Sequence, residues 1–191
     1  MADEVLTRRD GAVLTVTFNR PEVYNAFNRE LHAALREALT EAADPAIRCV
    51  VVTGAGKGFC AGQDLKEFGE VSGSIGDALE ASYHPNVRLV RALAKPVIAA
   101  VNGAAAGAGM SFACACDMRI ASDAAVFVPG FVNIGLVPDS GGTFFVTRLL
   151  GYGRAFEWLC SGRKLTAAEA HAWGLVSEVV EAESLPARAA W

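Results

Sequence analysis

One carboxylate stands apart in this sequence. Between Ala124 and Thr147 the sole charged residue is Asp139, in the segment IGLVPDSGG at 134–142. An ionised carboxylate in an apolar stretch is costly unless hydrogen bonds or a task keep it there. Two roles fit the residue types. Asp139 can be the N-cap of the helix that TFFVTRLL predicts, or a general acid and base whose surroundings raise its pKa. Two glycine-rich turns offer complementary chemistry. GFCAGQDL (58–65) and NGAAAGAGMS (102–111) each follow a buried strand and run into a helix. Backbone N–H groups at such turns are unpaired and sit at the positive end of the helix dipole. Two of them converging would hold a developing oxyanion. Singly, each is explained as well by tight packing.

Other chemistries fit less well. The tetrapeptide DSGG (139–142) matches the nucleophile segment of trypsin-like proteases, but there is no GxSxG elbow and no His segment resembling a triad partner. VTGAGKG (52–58) is glycine-rich after a strand, yet Phe59 stands where a dinucleotide fingerprint needs its third glycine. His32, His84 and His171 are far apart and fall in no HExxH frame, so they read as core or solvated residues and no metal is expected. The five cysteines (Cys49, Cys60, Cys114, Cys116 and Cys160) show neither zinc spacing nor a disulfide framework. Reduced packing thiols and a cytoplasmic location follow as expectations.

Stepping from chemistry to scaffold, 191 residues suit one domain, 1–191, with slightly more than half of them apolar. A net charge of -4 and no basic cluster argue against nucleic acid as a partner. The stretch Pro96–Cys116 is uncharged, but it is rich in Ala and Gly, contains Asn102 and Ser111 and lacks Leu. It reads as a buried strand, turn and helix rather than a membrane span. MADEVLTRRD is not a signal peptide.

AVLTVTF (12–18) alternates as a strand, and Asn28 is placed to cap a helix over 30–43, where Leu31, Leu35 and Leu39 recur. CVVVTG (49–54), PVIAAVNG (96–103) and DMRIAS (117–122) read as buried strands, with AVFVPG (125–130) a short strand or turn. A helix begins near Leu65, 69–83 is polar and unpatterned, and helices are expected over 84–94, 104–116, 143–151, 154–162 and 166–174. Strands alternating with helices make an α/β layer architecture.

NRPEVYNAFN, GKGFCAGQDLKEF, KPVIAAVNGAAAGAGMSFACACDMRIAS, IGLVPDSGGTFFVTRLLG and GRKLTAAEAHAWGLVSEVV occur in this order. Together they make the sequence resemble the crotonase (enoyl-CoA hydratase/isomerase) superfamily over essentially its whole length. The resemblance implies a crotonase-like spiral of ββα turns that binds acyl-CoA thioesters. No cofactor is expected beyond the coenzyme A of the substrate. It also implies a C-terminal helical part that closes the pocket and builds trimers or hexamers; beyond residue 185 that part is mostly absent, so the chain is either truncated or a shortened paralogue.

By the same resemblance, the backbone N–H groups of Gln63 and Ala108 form the oxyanion hole. Tyr24, Ala26, Ala61 and Gln63 line the path of the CoA arm, with Asp64, Leu65 and Lys66 beside them. Gly107 and Phe131 are likewise expected among the CoA- and substrate-binding residues. Asp64 also suits a helix cap, Asp117 a strand entry, and Ser111 an i−4 backbone bond. The two glutamates with which hydratases hold water would fall at Ser111 and Phe131, and neither is a carboxylate. Asp139 falls where Δ3,Δ2-enoyl-CoA isomerases and the 1,2-epoxyphenylacetyl-CoA isomerase type carry one acid. An isomerase with Asp139 as the catalytic acid/base is therefore expected. The alternatives are an enoyl-CoA hydratase of fatty-acid β-oxidation and a non-catalytic acyl-CoA-binding paralogue.

Overall fold

The computed structural model describes residues 3–68 and 74–190. Strands β1 (Val5–Asp10) and β2 (Val13–Phe18) form a hairpin; β2 buries Leu14, Val16 and Phe18 and leaves the alternate residues half-exposed. Asn28 Oδ1 accepts from Leu31 N at 2.8 Å and starts α1 (Arg29–Glu41), which buries Leu31, Leu35 and Leu39.

The rest of the chain winds in repeating units. Strands β3 (Cys49–Gly54) and β4 (Gly58–Cys60) precede α2 (Leu65–Phe68) and α3 (Ile75–Ala78). A π-turn at Leu79–Tyr83 joins α3 to α4 (His84–Ala92). The next turn is β5 (Val97–Val101), β6 (Ala104–Ala106) and α5 (Gly107–Ala115); β7 (Met118–Ser122) and β8 (Val126–Val128) follow. Then come α6 (Gly142–Leu150), α7 (Tyr152–Ser161), β9 (Leu165–Thr166), α8 (Ala167–Trp173), β10 (Glu178–Val180) and α9 (Leu185–Ala189).

Each unit gives one strand to each of two sheets. One sheet runs β1-β2-β3-β5-β7-β10 and the other β4-β6-β8-β9. The ladders linking β2, β3, β5, β7 and β10 are parallel, as are those linking β4, β6 and β8. This is the expected spiral of ββα turns. The helix expected at 104–116 opens instead with strand β6, and helical backbone runs back from 84 to 75. Of the unpatterned segment, 69–73 lie outside the described residues. The uncharged stretch 96–116 is strand, turn and helix. No helix among the described residues is long and apolar enough to cross a membrane.

Two asparagines brace the loop after β3. Asn25, left-handed at φ 58° and wholly buried, accepts from Arg20 N at 2.8 Å and donates to the carbonyls of Ala55 (3.0 Å) and Gly58 (2.8 Å). Asn102 accepts from Gly54 N at 3.0 Å and donates to the carbonyls of Gly56 (3.0 Å) and Gly58 (3.1 Å). Below them Phe18 meets Phe27, Phe59 and Phe112 edge-on at 5.6, 5.6 and 5.8 Å. Asn25→Ala leaves a backbone N–H and part of the bonding of two carbonyls unmet. It should lower stability by about 2–4 kcal/mol, read as a lower urea midpoint at unchanged slope.

Candidate active site

The two glycine-rich turns meet. An ideal Cβ built on Gly62 (φ +90°) would lie 2.9 Å from the Ala106 carbonyl oxygen and 3.2 Å from Ala108 N. One on Gly109 would lie 2.4 Å from the Cys60 carbonyl oxygen. Backbone therefore packs on backbone here, at distances no side chain permits. Phe27 N donates to the Gly62 carbonyl and Asp64 N to the Phe27 carbonyl, a pairing that passes over the Gln63 N–H. Ala108 lies in the first turn of α5, where an N–H has no intrahelical acceptor, and the N-cap residue Ala106 supplies no side-chain bond.

Around these turns the expected binding residues separate into two groups. Tyr24 (50 % exposed), Ala61, Leu65 (75 % exposed) and Lys66 lie at the surface, while Ala26 and Asp64 are buried. The Asp64 carboxylate accepts from Lys66 N at 3.1 Å and pairs with Arg20 at 3.0 Å. Burial opposes its ionisation, but those partners outweigh it and hold the carboxyl below its ordinary range. Asp117 likewise accepts from Val97 N at 2.9 Å, at the entry to β5. Gly107 adopts φ +50°, and a Cβ on Gly130 would sit 3.8 Å from its nitrogen, so the segment leading into buried Phe131 lies beside α5.

Asp139 does not cap α6. The N-cap residue is Gly141, with no side-chain cap bond, and only the Asp139 backbone carbonyl takes part, accepting from Gly142 N at 2.7 Å. The turn there is strained: Ser140 is left-handed at φ +52° and Gly141 at φ +79°. It aims the buried Ser140 hydroxyl at Asp139, donating to Oδ1 at 2.9 Å. Gly142 seats the turn on α5, since a Cβ there would lie 2.5 Å from Ser111 Oγ. Ser111 Oγ makes no hydrogen bond among the described residues, contrary to the i−4 bond expected of it; the close pack of Gly142 occupies its side. Burial pushes the Asp139 carboxyl above its ordinary range, against the Ser140 hydroxyl and the charge of His84.

Tyr83 and His32, neither of them an expected site residue, complete the surroundings. The buried Tyr83 ring stands edge-on to Phe27 and His32, and its hydroxyl donates to Gln63 Oε1. Burial first, and then the charge of Asp139, push this phenol up, so it is neutral. Tyr83, Phe27 and His32 wall both an open groove of about 700 Å³ and a small inner cavity that touches Ala108 and Ser140. Their signal in sequence was weak, because His32 reads as a helix residue and Tyr83 falls in the polar segment. No cluster of three His, Cys, Asp or Glu residues able to hold a metal occurs among the described residues.

The ββα spiral brings together two abutting glycine-rich turns, whose Gln63 and Ala108 N–H groups have no hydrogen-bond partner among the described residues, and a half-buried carboxylate. Residues 8–190 match the family Enoyl-CoA hydratase/isomerase, and the chain belongs to it. It is 45 % identical over 190 residues to 1,2-epoxyphenylacetyl-CoA isomerase of Escherichia coli (strain K12), covering 97 % of this chain and 72 % of that protein. It is 42 % identical over 169 residues to a probable enoyl-CoA hydratase of Rhodobacter capsulatus, covering 86 % of this chain and 64 % of that protein. The crystal structure of enoyl-CoA hydratase from Bacillus anthracis superposes with a TM-score of 0.94 at 34 % identity, over 98 % of this chain and 74 % of that one. The chain thus spans roughly two thirds to three quarters of these proteins.

Gly62→Ala should push the two turns apart. A loss of about 10²–10³ in kcat for an enoyl-CoA substrate, larger than any change in CoA affinity, is the expected outcome in steady-state kinetics.

Proposed function

We propose that the chain is the core of an acyl-CoA isomerase that moves a double bond next to a CoA thioester, with Asp139 as acid and base. The observation that carries this reading is the state of Asp139. It is a half-buried carboxylate with raised pKa and one hydrogen bond. It makes no ion pair among the described residues, and it is placed by a strained turn rather than used to cap a helix. The 45 % identity to a protein named an isomerase supports the same choice.

The steps follow from the parts. The thioester oxygen accepts from the N–H groups of Gln63 and Ala108. Asp139 takes a proton from the α carbon, and the electron pair moves onto that oxygen as an enolate. The enolate collapses, the double bond shifts to the α–β position, and the protonated Asp139 returns the proton at the γ carbon. One carboxylate suffices because the reaction adds and removes nothing. Hydration instead needs a positioned water, and Ser111 and Phe131 stand where the glutamates for it would lie. The exposed Tyr24, Leu65 and Lys66 would meet the CoA arm.

Asp139→Asn should slow conversion of 3-hexenoyl-CoA to 2-hexenoyl-CoA by about 10²–10⁴ in a spectrophotometric assay. A rate equal to wild type, or crotonyl-CoA hydration that survives the substitution at full rate, would defeat the assignment. The working base is the carboxylate, so kcat/KM should rise with pH through a midpoint above the usual carboxylate value of about 3.9. Ser140→Ala removes a bond that favours the ionised form and should move that midpoint to higher pH.

The same pKa makes a stability prediction of definite sign. A carboxyl whose folded pKa is raised contributes stability below the unfolded pKa and loses it as pH rises through the folded one. Asp139→Asn should therefore be more stable than wild type at pH 7, and that advantage should shrink below the ordinary carboxylate pKa, as thermal melts in matched buffers will show.

A further inference from the structure

The side chain of Gln63 is held at both ends. Its Nε2 lies 3.2 Å from the Asp64 carbonyl oxygen. A carbonyl oxygen only accepts, so the amide nitrogen must face it and leave Oε1 for another partner. That partner is Tyr83, whose hydroxyl donates to Oε1. Burial pushes the phenol's pKa up, so it keeps the hydrogen that this bond needs.

What these bonds hold is one peptide plane. In a trans peptide the C=O and the N–H that follows it point in opposite directions, so fixing one aims the other. The Gly62 carbonyl accepts from Phe27 N at 2.7 Å, and the Gln63 N–H of the same peptide is thereby turned away from Phe27. Asp64 N donates back to the Phe27 carbonyl at 2.9 Å. Tyr83 bears on both sides of this pairing. Its ring stands edge-on to Phe27 at 5.7 Å, while its hydroxyl holds the side chain of Gln63. The ring is buried and has His32 against it at 4.2 Å, which leaves it little room to swing away. It also ends the π-turn, where His84 N reaches back five residues to the Leu79 carbonyl. Such widened turns are rare and gather at functional sites.

We propose that Tyr83 is a positioning residue for the oxyanion hole: through the Gln63 side chain it holds the Gly62–Gln63 peptide, and with it the N–H that receives the thioester oxygen. This role rests on the reading in which that N–H and the one of Ala108 hold the thioester oxygen. Backbone donation alone would leave the side chain at 63 free to vary; the brace instead requires an acceptor there within reach of the phenol. It acts on the direction of a donor and not on contact with the acyl-CoA. Its loss should therefore weaken polarisation of the thioester carbonyl and lower kcat, and leave ground-state affinity nearly as it was.

The absorption band of bound 2,4-hexadienoyl-CoA tests this without requiring turnover. The ligand is already conjugated, and donors that polarise its thioester carbonyl move the band to longer wavelength. The expected result is a clear red shift in the wild-type protein and a smaller one in Tyr83→Phe and in Gln63→Met. Each variant should also lose about tenfold in kcat for 3-hexenoyl-CoA, less than removal of an oxyanion donor costs, with the Kd of hexanoyl-CoA within about twofold of wild type. The double variant should match either single one, since both remove the same bond. Losses that add, a red shift undiminished in Tyr83→Phe, or a Kd that rises as much as kcat falls would each overturn the brace. If Tyr83→Phe does not fold, Gln63→Met carries the same test, and an undiminished shift there overturns it. No red shift in the wild-type protein overturns the oxyanion reading and the brace together. A shift that falls in both variants, with no turnover of 3-hexenoyl-CoA by any of them, supports the brace and overturns the isomerase reading alone.

Discussion

Backbone contact between the turns at 60–63 and 106–109 is the constraint on which the rest of the molecule depends. Stabilising an enolate requires N–H donors fixed before the charge appears. Here the candidate donors are main-chain groups, so their positions follow from how two loops pack rather than from rotamers. Gly62 and Gly109 allow that packing, because a Cβ at either position would meet backbone carbonyl oxygen within 3 Å. The same device continues behind the site: a Cβ on Gly103 would lie 2.0 Å from the Lys57 carbonyl oxygen. Asn25 and Asn102 hold the loop between, and the Phe18 cluster supports it from below. The parallel spiral brings these loops together at one end of its strands, where open α/β sheets bind ligands.

Against that rigid backbone Asp139 is an arrangement that costs stability. Its turn places a serine in left-handed backbone, and its carboxyl is held where burial opposes ionisation. Such features persist where the surroundings impose them, and they collect at working sites. Ser140 moderates the effect, since its hydroxyl favours the ionised form that burial disfavours. A carboxylate so placed holds a proton more readily than a fully solvated aspartate. Tyr83, neutral and tied to the Gln63 side chain, links the wall of the groove to the turn at 60–63.

Much of this was legible in the sequence, for identifiable reasons. Strands β3, β5 and β7 are continuous apolar runs because both faces of a parallel sheet are covered, and that pattern is local. Leu31, Leu35 and Leu39 with Asn28 announced α1 for the same reason. The short strands β4, β6, β9 and β10 were not legible, since two or three residues carry no periodicity and are strands only by pairing with distant partners. The convergence of the turns was expected, and the glycine contacts bear it out. The choice between cap and acid for Asp139 could not be made from residue types, because PDSGGT satisfies the cap pattern; it was the fold that handed the cap position to Gly141. His32 read equally as core or solvated; the fold settles it as core, with Asn86 of α4 against its ring, a contact no local pattern announces.

The proposed isomerisation holds one enolate with two backbone N–H groups while one carboxylate serves both carbons. A crystal structure with a non-reactive analogue of 3-hexenoyl-CoA bound tests it most directly. The thioester oxygen should lie about 3 Å from both Gln63 N and Ala108 N, with one Asp139 oxygen within about 3.5 Å of the α and γ positions. A thioester oxygen bound away from these two nitrogens, or an Asp139 carboxylate turned out of reach of either carbon, would contradict it.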